Sequence, residues 1–373
     1  MHSTLFRRMS YFRFSFFIVI ILKLVVMQSC QSSANTNDNY FTADDFSSVK
    51  KIDVHTHVQT TGHALLEQAK ADNFTLISIN TEVPGYPPID SQQFYALEQQ
   101  RRYPDKFFYL TTFETATRFQ PDWAERQLEY LKKSFTNGAI GIKVWKNIGM
   151  EILDKDGHFI MIDHPMFDPI FNYLEQNNIP VCGHIGEPLA CWLPLDKMTT
   201  NNDRAYFKDH PEYHMYLHPE YPSYEDQIQS RDRLLEKHPR LKFIGAHLGS
   251  LEWSVEEMAK RLDKFSNMAL DFAERVGHVQ YQTVNDWQKV HDFFVKYQDR
   301  LMYGTDLEEN ESTPADSMKV RAHDLWVRDW KYFTSGDSME SPLVNGKFKG
   351  LKLPKEVVEK LYYKNAASWY LKK

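Results

Sequence analysis

Two histidines, His55 and His57, stand one residue apart in the stretch KIDVHTHVQT, which follows the apolar alternation of a β-strand. Side chains at positions i and i+2 of a strand point to the same face. Asp53 and the two histidines are therefore expected on one face, with Ile52 and Val54 on the other. Imidazole nitrogens are common ligands of Zn²⁺ and other transition metals. This stretch predicts half of a metal site.

Ligand-type side chains also end four further apolar segments that are predicted to be strands. The segments are GIKVW, VCGHIG, FIGAHLG and MYGTD, and their candidate ligands are Lys143, His184, His247 and Asp306. Each has an ordinary explanation, because core histidines are hydrogen-bonded, lysines extend to solvent or form ion pairs, and aspartates cap helices. The repetition at five strand ends instead indicates one metal centre.

Alternation along these strands predicts the direction of the candidate ligands. In the fourth strand, Ile142 and Val144 are expected to face the outer helices, which leaves Lys143 inside. In the sixth strand, Ile244 is likewise assigned to the outer face, opposite His247. The pattern predicts that the ligands converge inside the fold.

Eight short apolar runs alternate with amphipathic segments along the chain. The predicted strands are 51–56, 74–80, 107–113, 139–145, 179–184, 241–247, 267–272 and 301–305. The predicted helices include 122–135, 165–176, 224–237, 252–265, 285–297 and 354–371. Eight strand–helix units predict an α/β fold, the (β/α)8 TIM barrel, whose functional groups lie at the carboxyl ends of the strands.

Two segments exceed the strand–helix repeat and predict long loops after strands five and eight. Residues 187–223 follow the fifth strand and carry many aromatic and histidine residues. Residues 307–353 follow the eighth strand and contain a predicted helix around 318–332 and a hairpin turn at Asn345-Gly346. Both loops are expected at the face of the barrel where function is built.

The N-terminal segment has the features of an export signal. Arginines precede the apolar run 16–27, and small and polar residues follow it, as in a secretory signal peptide. Cys30 resembles the lipidated cysteine of bacterial lipoproteins, although Met27 and Gln28 depart from the usual pattern, so a cleaved signal with an unrelated cysteine is the alternative. The expected organisation is a lipoprotein-type signal peptide at 1–29, lipidated Cys30 and a flexible tether at 30–48, and the barrel at 49–373.

Composition limits the classes of molecule that the chain is expected to bind. Its 373 residues carry a formal net charge of −6 and are 42% hydrophobic, which is ordinary for a soluble domain with one large core. A mildly acidic chain has no electrostatic footprint for nucleic acid. The expected partners are a small-molecule substrate and, through the lipid anchor, a membrane of the bacterial cell envelope. A homo-oligomer is compatible with the sequence.

The order of these residues resembles the amidohydrolase superfamily. Within it, the chain is most similar to the branch of metal-dependent hydrolases related to 2-amino-3-carboxymuconate-semialdehyde decarboxylase. The resemblance extends from Ile52 to the C-terminal helix and rests on the following residues in strand order: His55, His57, His184, His247 and Asp306. It implies a divalent metal held by the first-strand histidines, His184 and Asp306, with Asp306 and His247 as catalytic residues and no organic cofactor. The donor types favour Zn²⁺, as one or two ions.

The role of Lys143 differs between two versions of this site. The resemblance implies either that it is carboxylated and bridges two metals, with His247 as a ligand of the second ion, or that it contacts substrate beside a single ion. Lys146 is a candidate to bind a substrate carboxylate, Trp145 to form an aromatic wall, and Glu187 to lie near the metal.

Three arginines are further candidates to meet an acidic substrate: Arg204, Arg231 and Arg275. For each of them, packing within a loop or at an interface is the alternative.

The function expected from this resemblance is metal-dependent hydrolysis, in which metal-activated water attacks a C–N or C–O bond of a small carbonyl substrate. A non-oxidative decarboxylase or other lyase with the same ligands is the alternative. A non-catalytic binding lipoprotein is a third possibility, which would predict missing ligands.

Overall fold

The computed structural model describes residues 39–372, so Cys30 and the signal segment lie outside the described residues. Residues 40–48, assigned to the tether from the sequence, pack against the barrel in this structure. Phe46 is buried, and Trp330 Nε1 donates a hydrogen bond to the carbonyl of Thr42 at 3.0 Å. Within the described residues, no helix is long and apolar enough to span a bilayer.

Eleven strands form three sheets in the described part of the chain. They are β1 (Lys51–Gln59), β2 (Phe74–Ile79), β3 (Phe107–Leu110), β4 (Ile142–Val144), β5 (Val181–Gly183), β6 (Phe243–Gly245), β7 (Met268–Asp271), β8 (Leu301–Met302), β9 (Leu307–Asn310), β10 (Ser338–Ser341) and β11 (Val344–Lys349). Two parallel sheets, ordered β3-β2-β1-β9 and β4-β5-β6-β7-β8, make up the barrel. The eight predicted strands are all present, and all but β1 are shorter than expected.

The two sheets join at both edges, which closes the barrel. A bridge between Thr111 and Ile142 connects β3 to β4. At the other edge, Val54 N donates to the carbonyl of Tyr303 at 3.0 Å. The eighth position of the barrel is divided, because β8 pairs with β7 while β9 pairs with β1. The interruption contains Asp306, whose φ is +66°.

Helices surround the barrel. They are α1 (Ala64–Ala71), α2 (Ile89–Arg102), α3 (Trp123–Thr136), α4 (Asp168–Gln176), α5 (Asn201–Asp209), α6 (Tyr224–Lys237), α7 (Val255–Lys264), α8 (Val276–Asn285), α9 (Trp287–Lys296), α10 (Ala315–Thr334) and α11 (Lys355–Glu359). Two π-helical segments, Lys360–Lys364 and Ala367–Leu371, follow α11. The loop after β5, expected to have no regular structure, contains α5.

The hairpin of β10 and β11 turns earlier than the sequence indicates. Ser341 pairs with Val344, so Pro342 and Leu343 form the turn. Asn345-Gly346 instead lies within β11 at a shift of register, where Gly346 has a φ of +103°. The positive φ that favours glycine in a hairpin turn serves equally well in a bulge, which explains why the predicted turn was wrong.

The inside of the barrel is filled by residues from seven strands. Their shared cluster contains Ile52, Val54, Ile77, Ile79, Leu110, Cys182, Ile244, Ala269 and Met302, with Ala366 and Tyr370 of the C-terminal segment packed against it. Ile52, Val54 and Ile244 therefore point inward, not toward the outer helices. The alternation predicted for the first and sixth strands was wrong at these positions.

Two local irregularities bring the histidines inside despite this inverted alternation. Between Asp53 and Thr56, β1 carries one more residue than β2, and such a bulge switches the face of every later side chain. After β6 the backbone turns left-handed, with φ of +55° at His247 and +59° at Leu248. Asp53 precedes the bulge and faces α10, where it accepts a hydrogen bond from Trp326 Nε1 at 3.0 Å.

Candidate metal centre

Three imidazoles are held by hydrogen bonds from their Nδ1 atoms. His57 Nδ1 lies 2.9 Å from the carbonyl of Ile79, and His247 Nδ1 lies 3.0 Å from the carbonyl of Ala273. A carbonyl oxygen only accepts, so Nδ1 carries the proton in both neutral rings. The Nε2 atoms therefore present lone pairs to the space at the carboxyl end of the barrel.

His55 is oriented in the same way by a buried carboxylate. Its Nδ1 lies 3.0 Å from Asp271 Oδ2, while Asp271 Oδ1 accepts hydrogen bonds from the backbone N–H groups of His247 (2.9 Å) and Ala273 (3.2 Å). Asp271 at the end of β7 thus fixes two candidate ligands at once. Asp271 is not among the residues predicted from the sequence, although a carboxylate within the apolar run of β7 is the signal that could have identified it.

The carboxylate of Asp306 lies among these lone pairs. Its Oδ1 is 3.1 Å from His57 Nε2 and 3.4 Å from His55 Nε2, and its Oδ2 is 4.0 Å from His247 Nε2. Neutral imidazole nitrogens and a carboxylate oxygen that face one another at this separation are all acceptors, and a cation between them would satisfy them together. Within the described residues, Oδ1 of Asp306 and Nε2 of His184 have no hydrogen-bond partner. The residues present therefore fit a divalent metal, which prefers this mixed nitrogen and oxygen donor set.

Burial and neighbouring charges set the protonation states that such ligands need. Burial, aided by the Lys143 ammonium, lowers the pKa of His55, and burial lowers the pKa values of His184 and His247 well below the usual range. Burial alone would raise the pKa of Asp306, but positive charge on the neighbouring imidazoles of His55, His57 and His247 would hold it well below its ordinary value. Neutral imidazoles and an ionised carboxylate are the ligand forms of these groups.

The remaining candidate ligands lie at the same centre. The rings of His184 and His247 are 4.1 Å apart between centroids. Lys143 is buried, with Nζ 3.1 Å from His55 Nε2 and 3.9 Å from Cys182 Sγ. The structure therefore brings all six sequence-predicted metal residues to one place, and Lys143 is close enough to take part in either version of the site.

Strained backbone marks the positions of two of these residues. His247 and Asp306 have φ values of +55° and +66°, a region that non-glycine residues seldom occupy. Gly304 lies close behind the first ligand, since a Cβ at this position would come within 3.0 Å of His55 Cβ. Such strain clusters at functional sites, where the surrounding structure holds it in place.

A cavity of 610 Å³ opens over the centre and is lined by the candidate ligands together with Trp145, Lys146, Glu187, Tyr206 and Arg275. Lys146 Nζ donates to Glu187 Oε1, so these two predicted substrate residues neutralise each other. Glu187 Oε2 lies 3.9 Å from His184 Nε2, which confirms that Glu187 lies beside the centre. Of the three arginines singled out from the sequence, Arg275 lines this cavity.

A family model described as Amidohydrolase matches residues 52–371 of this chain. Among solved structures, an uncharacterized TIM-barrel protein from Bordetella bronchiseptica is similar, with 15% identity and a TM-score of 0.51, over 86% of this chain and 98% of that chain. A 2,6-dihydroxybenzoate decarboxylase from Rhizobium is also similar, with 17% identity and a TM-score of 0.50, over 86% of this chain and 98% of that chain. No curated protein matches the sequence. At these identities the two structures establish the TIM-barrel fold.

Proposed function

This chain belongs to the amidohydrolase family and is a metal-dependent enzyme, and from that premise we propose that it hydrolyses a C–N or C–O bond of a small carbonyl substrate. The observation that carries the proposal is the convergence of acceptors at the barrel mouth. One ring nitrogen each of His55 and His247 and one oxygen of Asp306 lie within 4.8 Å of one another. The Lys143 ammonium lies 3.1 Å from His55 Nε2, one member of this set, whereas a divalent cation would contact all three.

The residues proposed to hold a first ion are His55, His57, His184 and Asp306. His247 would join a second ion if Lys143 is carboxylated as a bridge. Zn²⁺ is the proposed ion, because imidazole and carboxylate donors suit it. When bound, the ion would act as a Lewis acid on the substrate oxygen and lower the pKa of water to about 7.

The proposed work of the chain's own residues follows from their positions. Asp306, kept ionised by the surrounding imidazoles, would take the proton of the attacking water on a carboxylate oxygen and return it to the leaving group. In the version with one ion, His247 would stabilise the charge that develops on the substrate oxygen. Asp271 would keep His55 in the tautomer that exposes Nε2, as carboxylates behind metal-binding histidines do.

A non-oxidative decarboxylase is the second candidate. The cavity contains the buried cations Lys143 and Arg275, which suit a carboxylated substrate, and the Rhizobium decarboxylase has the same fold. A non-catalytic binding role is disfavoured, since every expected ligand is present. The lipid anchor at Cys30 and the location in the cell envelope stay predictions, because they depend on residues outside the described part of the chain.

Metal content tests the proposal first. Purified parent, Lys143→Ala and Lys146→Ala proteins would be analysed for metal after equilibration with Zn²⁺. About two ions per chain in the parent and about one or fewer in Lys143→Ala would support the bridged site. About one ion in both would assign Lys143 to substrate. Lys146→Ala is the matched control, because its partner is Glu187, and it should retain the parental content. A parent that binds no metal contradicts the proposal.

The reaction type is tested next, with lactones, amides and carboxylated aromatic compounds in H₂¹⁸O. A hydrolase places ¹⁸O in its product, whereas a decarboxylase releases CO₂ without that label in the organic product. Asp306→Asn is the isosteric control and should abolish either activity. Release of CO₂ alone would reject the hydrolase in favour of the second candidate.

A further inference from the structure

Arg275 is a buried cation in the wall of the cavity above the metal centre. Its side chain is 8% exposed, and within the described residues its Nε donor has no acceptor. Nη1 lies 3.4 Å from Oε2 of Glu274, a long contact to a side chain that is itself 58% exposed. Because a guanidinium offers five N–H donors in one plane, most of its hydrogen-bonding capacity is open to a ligand.

Two other arginines of this barrel use their donors on the protein. Arg231, which is even more deeply buried, donates from Nε and Nη2 to Asp232 Oδ1 at 3.1 and 2.7 Å, and from Nη1 to the carbonyl of Gly249. Arg204 donates to two backbone carbonyls and one side-chain amide of its own loop. These two are structural arginines, and Arg275 differs from both.

Two other charged groups of the cavity already have partners. Lys146 is paired with Glu187, and Asp203 Oδ2 lies 2.7 Å from His278 Nε2. Burial alone would lower the pKa of Arg275, but four carboxylates raise it, those of Glu274, Asp203, Glu252 and Glu187, and within the described residues only Glu274 comes within ion-pair distance. A buried donor without an acceptor is costly, so the free Nε–H of Arg275 indicates room for an oxygen of a ligand. Lys146 and Arg275 were both candidates from the sequence to bind an acidic substrate, and the pairing of Lys146 with Glu187 leaves Arg275 as the better placed group.

We propose that Arg275 binds a carboxylate of the substrate, so that the substrate is a carbonyl compound with a carboxylate remote from the reacting group. This inference rests on the proposed function. A planar guanidinium can meet a carboxylate through two parallel hydrogen bonds, which gives orientation as well as affinity. The reacting group would then be directed toward the metal centre from a fixed point in the cavity wall.

Titration calorimetry of the Zn²⁺-loaded protein tests this with the half-amides of malonate, succinate and glutarate, each compared with its diamide. One amide is common to both members of a pair, so the comparison isolates recognition of the carboxylate. For at least one chain length, we expect the half-amide to bind at least about tenfold more tightly than the diamide. In Arg275→Met the ratio should fall below about threefold, with diamide binding unchanged.

The controls keep the inference falsifiable. Arg204→Met removes a positive charge from the neighbouring loop and should retain the parental ratio. Arg275→Gln is carried in parallel in case the methionine variant fails to fold, and thermal unfolding and metal content are measured on every protein.

A preference for the half-amide over the diamide that persists without the Arg275 guanidinium overturns the inference, as does a metal-loaded parent that shows no such preference at any chain length. A parent that takes up no metal instead refutes the proposed function itself.

Discussion

Asp271→Asn is predicted to weaken metal binding through the tautomer of His55. Asparagine keeps the size of the side chain but has only one oxygen. The backbone N–H groups of His247 and Ala273 both donate to Oδ1, so the amide oxygen is expected at that position. The amide NH₂ then faces His55 Nδ1, 3.0 Å away in the parent, and makes it an acceptor. The ring proton moves to Nε2, which can no longer bind metal.

The expected loss of metal affinity follows from what the hydrogen-bond partners of metal-binding side chains contribute. Their loss costs about 10- to 100-fold in metal affinity, or about 1.4–2.7 kcal/mol. In the metal-free protein, the exchange of a hydrogen bond to a charged carboxylate for one to a neutral amide is expected to cost about 1 kcal/mol of unfolding free energy. Both quantities are measurable, the first by competition with a chromophoric chelator and the second by urea denaturation.

Asp203→Asn provides a matched control. It alters another buried aspartate–histidine pair, in which Asp203 Oδ2 lies 2.7 Å from His278 Nε2. It should cost similar stability but change metal affinity less than about threefold. Parental metal affinity in Asp271→Asn, or equal losses in the two variants, would refute the tautomer argument.

Two further predictions concern stability. Burial depresses the pKa values of His184 and His247, so below about pH 6.5 the unfolded state takes up protons that the folded state does not. The metal-free protein should therefore lose up to about 1.4 kcal/mol per pH unit for each histidine between pH 6.5 and 5.5, and constant unfolding free energy in urea would contradict this. Asp53→Ala should cost more than about 2 kcal/mol, because Thr305 Oγ1 (2.6 Å) and Trp326 Nε1 (3.0 Å) would lose their acceptor. Urea denaturation that gives parental stability would show that these donors find other partners.

Much of the fold could be predicted because it depends on local patterns. Apolar runs bounded by polar residues located all eight barrel strands, and helix α6 begins and ends at the predicted residues, Tyr224 and Lys237. The types of residue at the strand ends were sufficient to predict that His184 and Asp306 lie in one cavity. These features need only composition and spacing, which a single sequence contains.

The directions of the side chains could not be obtained in this way. One extra residue in β1 inverts the alternation before His55, and a left-handed turn does the same before His247. Neither irregularity changes the local composition. The hydrogen-bond partners of Asp271 and Lys146 lie far away in sequence, and those of Arg275 depend on loop geometry. Only the folded chain therefore shows which of these three charged groups has its hydrogen bonds satisfied.

The divided eighth position of the barrel has a consequence for biosynthesis. β1 carries His55 and His57 near the beginning of the described chain, whereas β9, which pairs with it, directly follows Asp306. The metal centre thus spans the seam where the first and last strands meet. A nascent chain cannot assemble the site until nearly the whole barrel has been synthesised, and contacts between such distant segments form slowly. Metal uptake would then be a late step in maturation, and the bound ion would stabilise the closed barrel by linking its first and last strands.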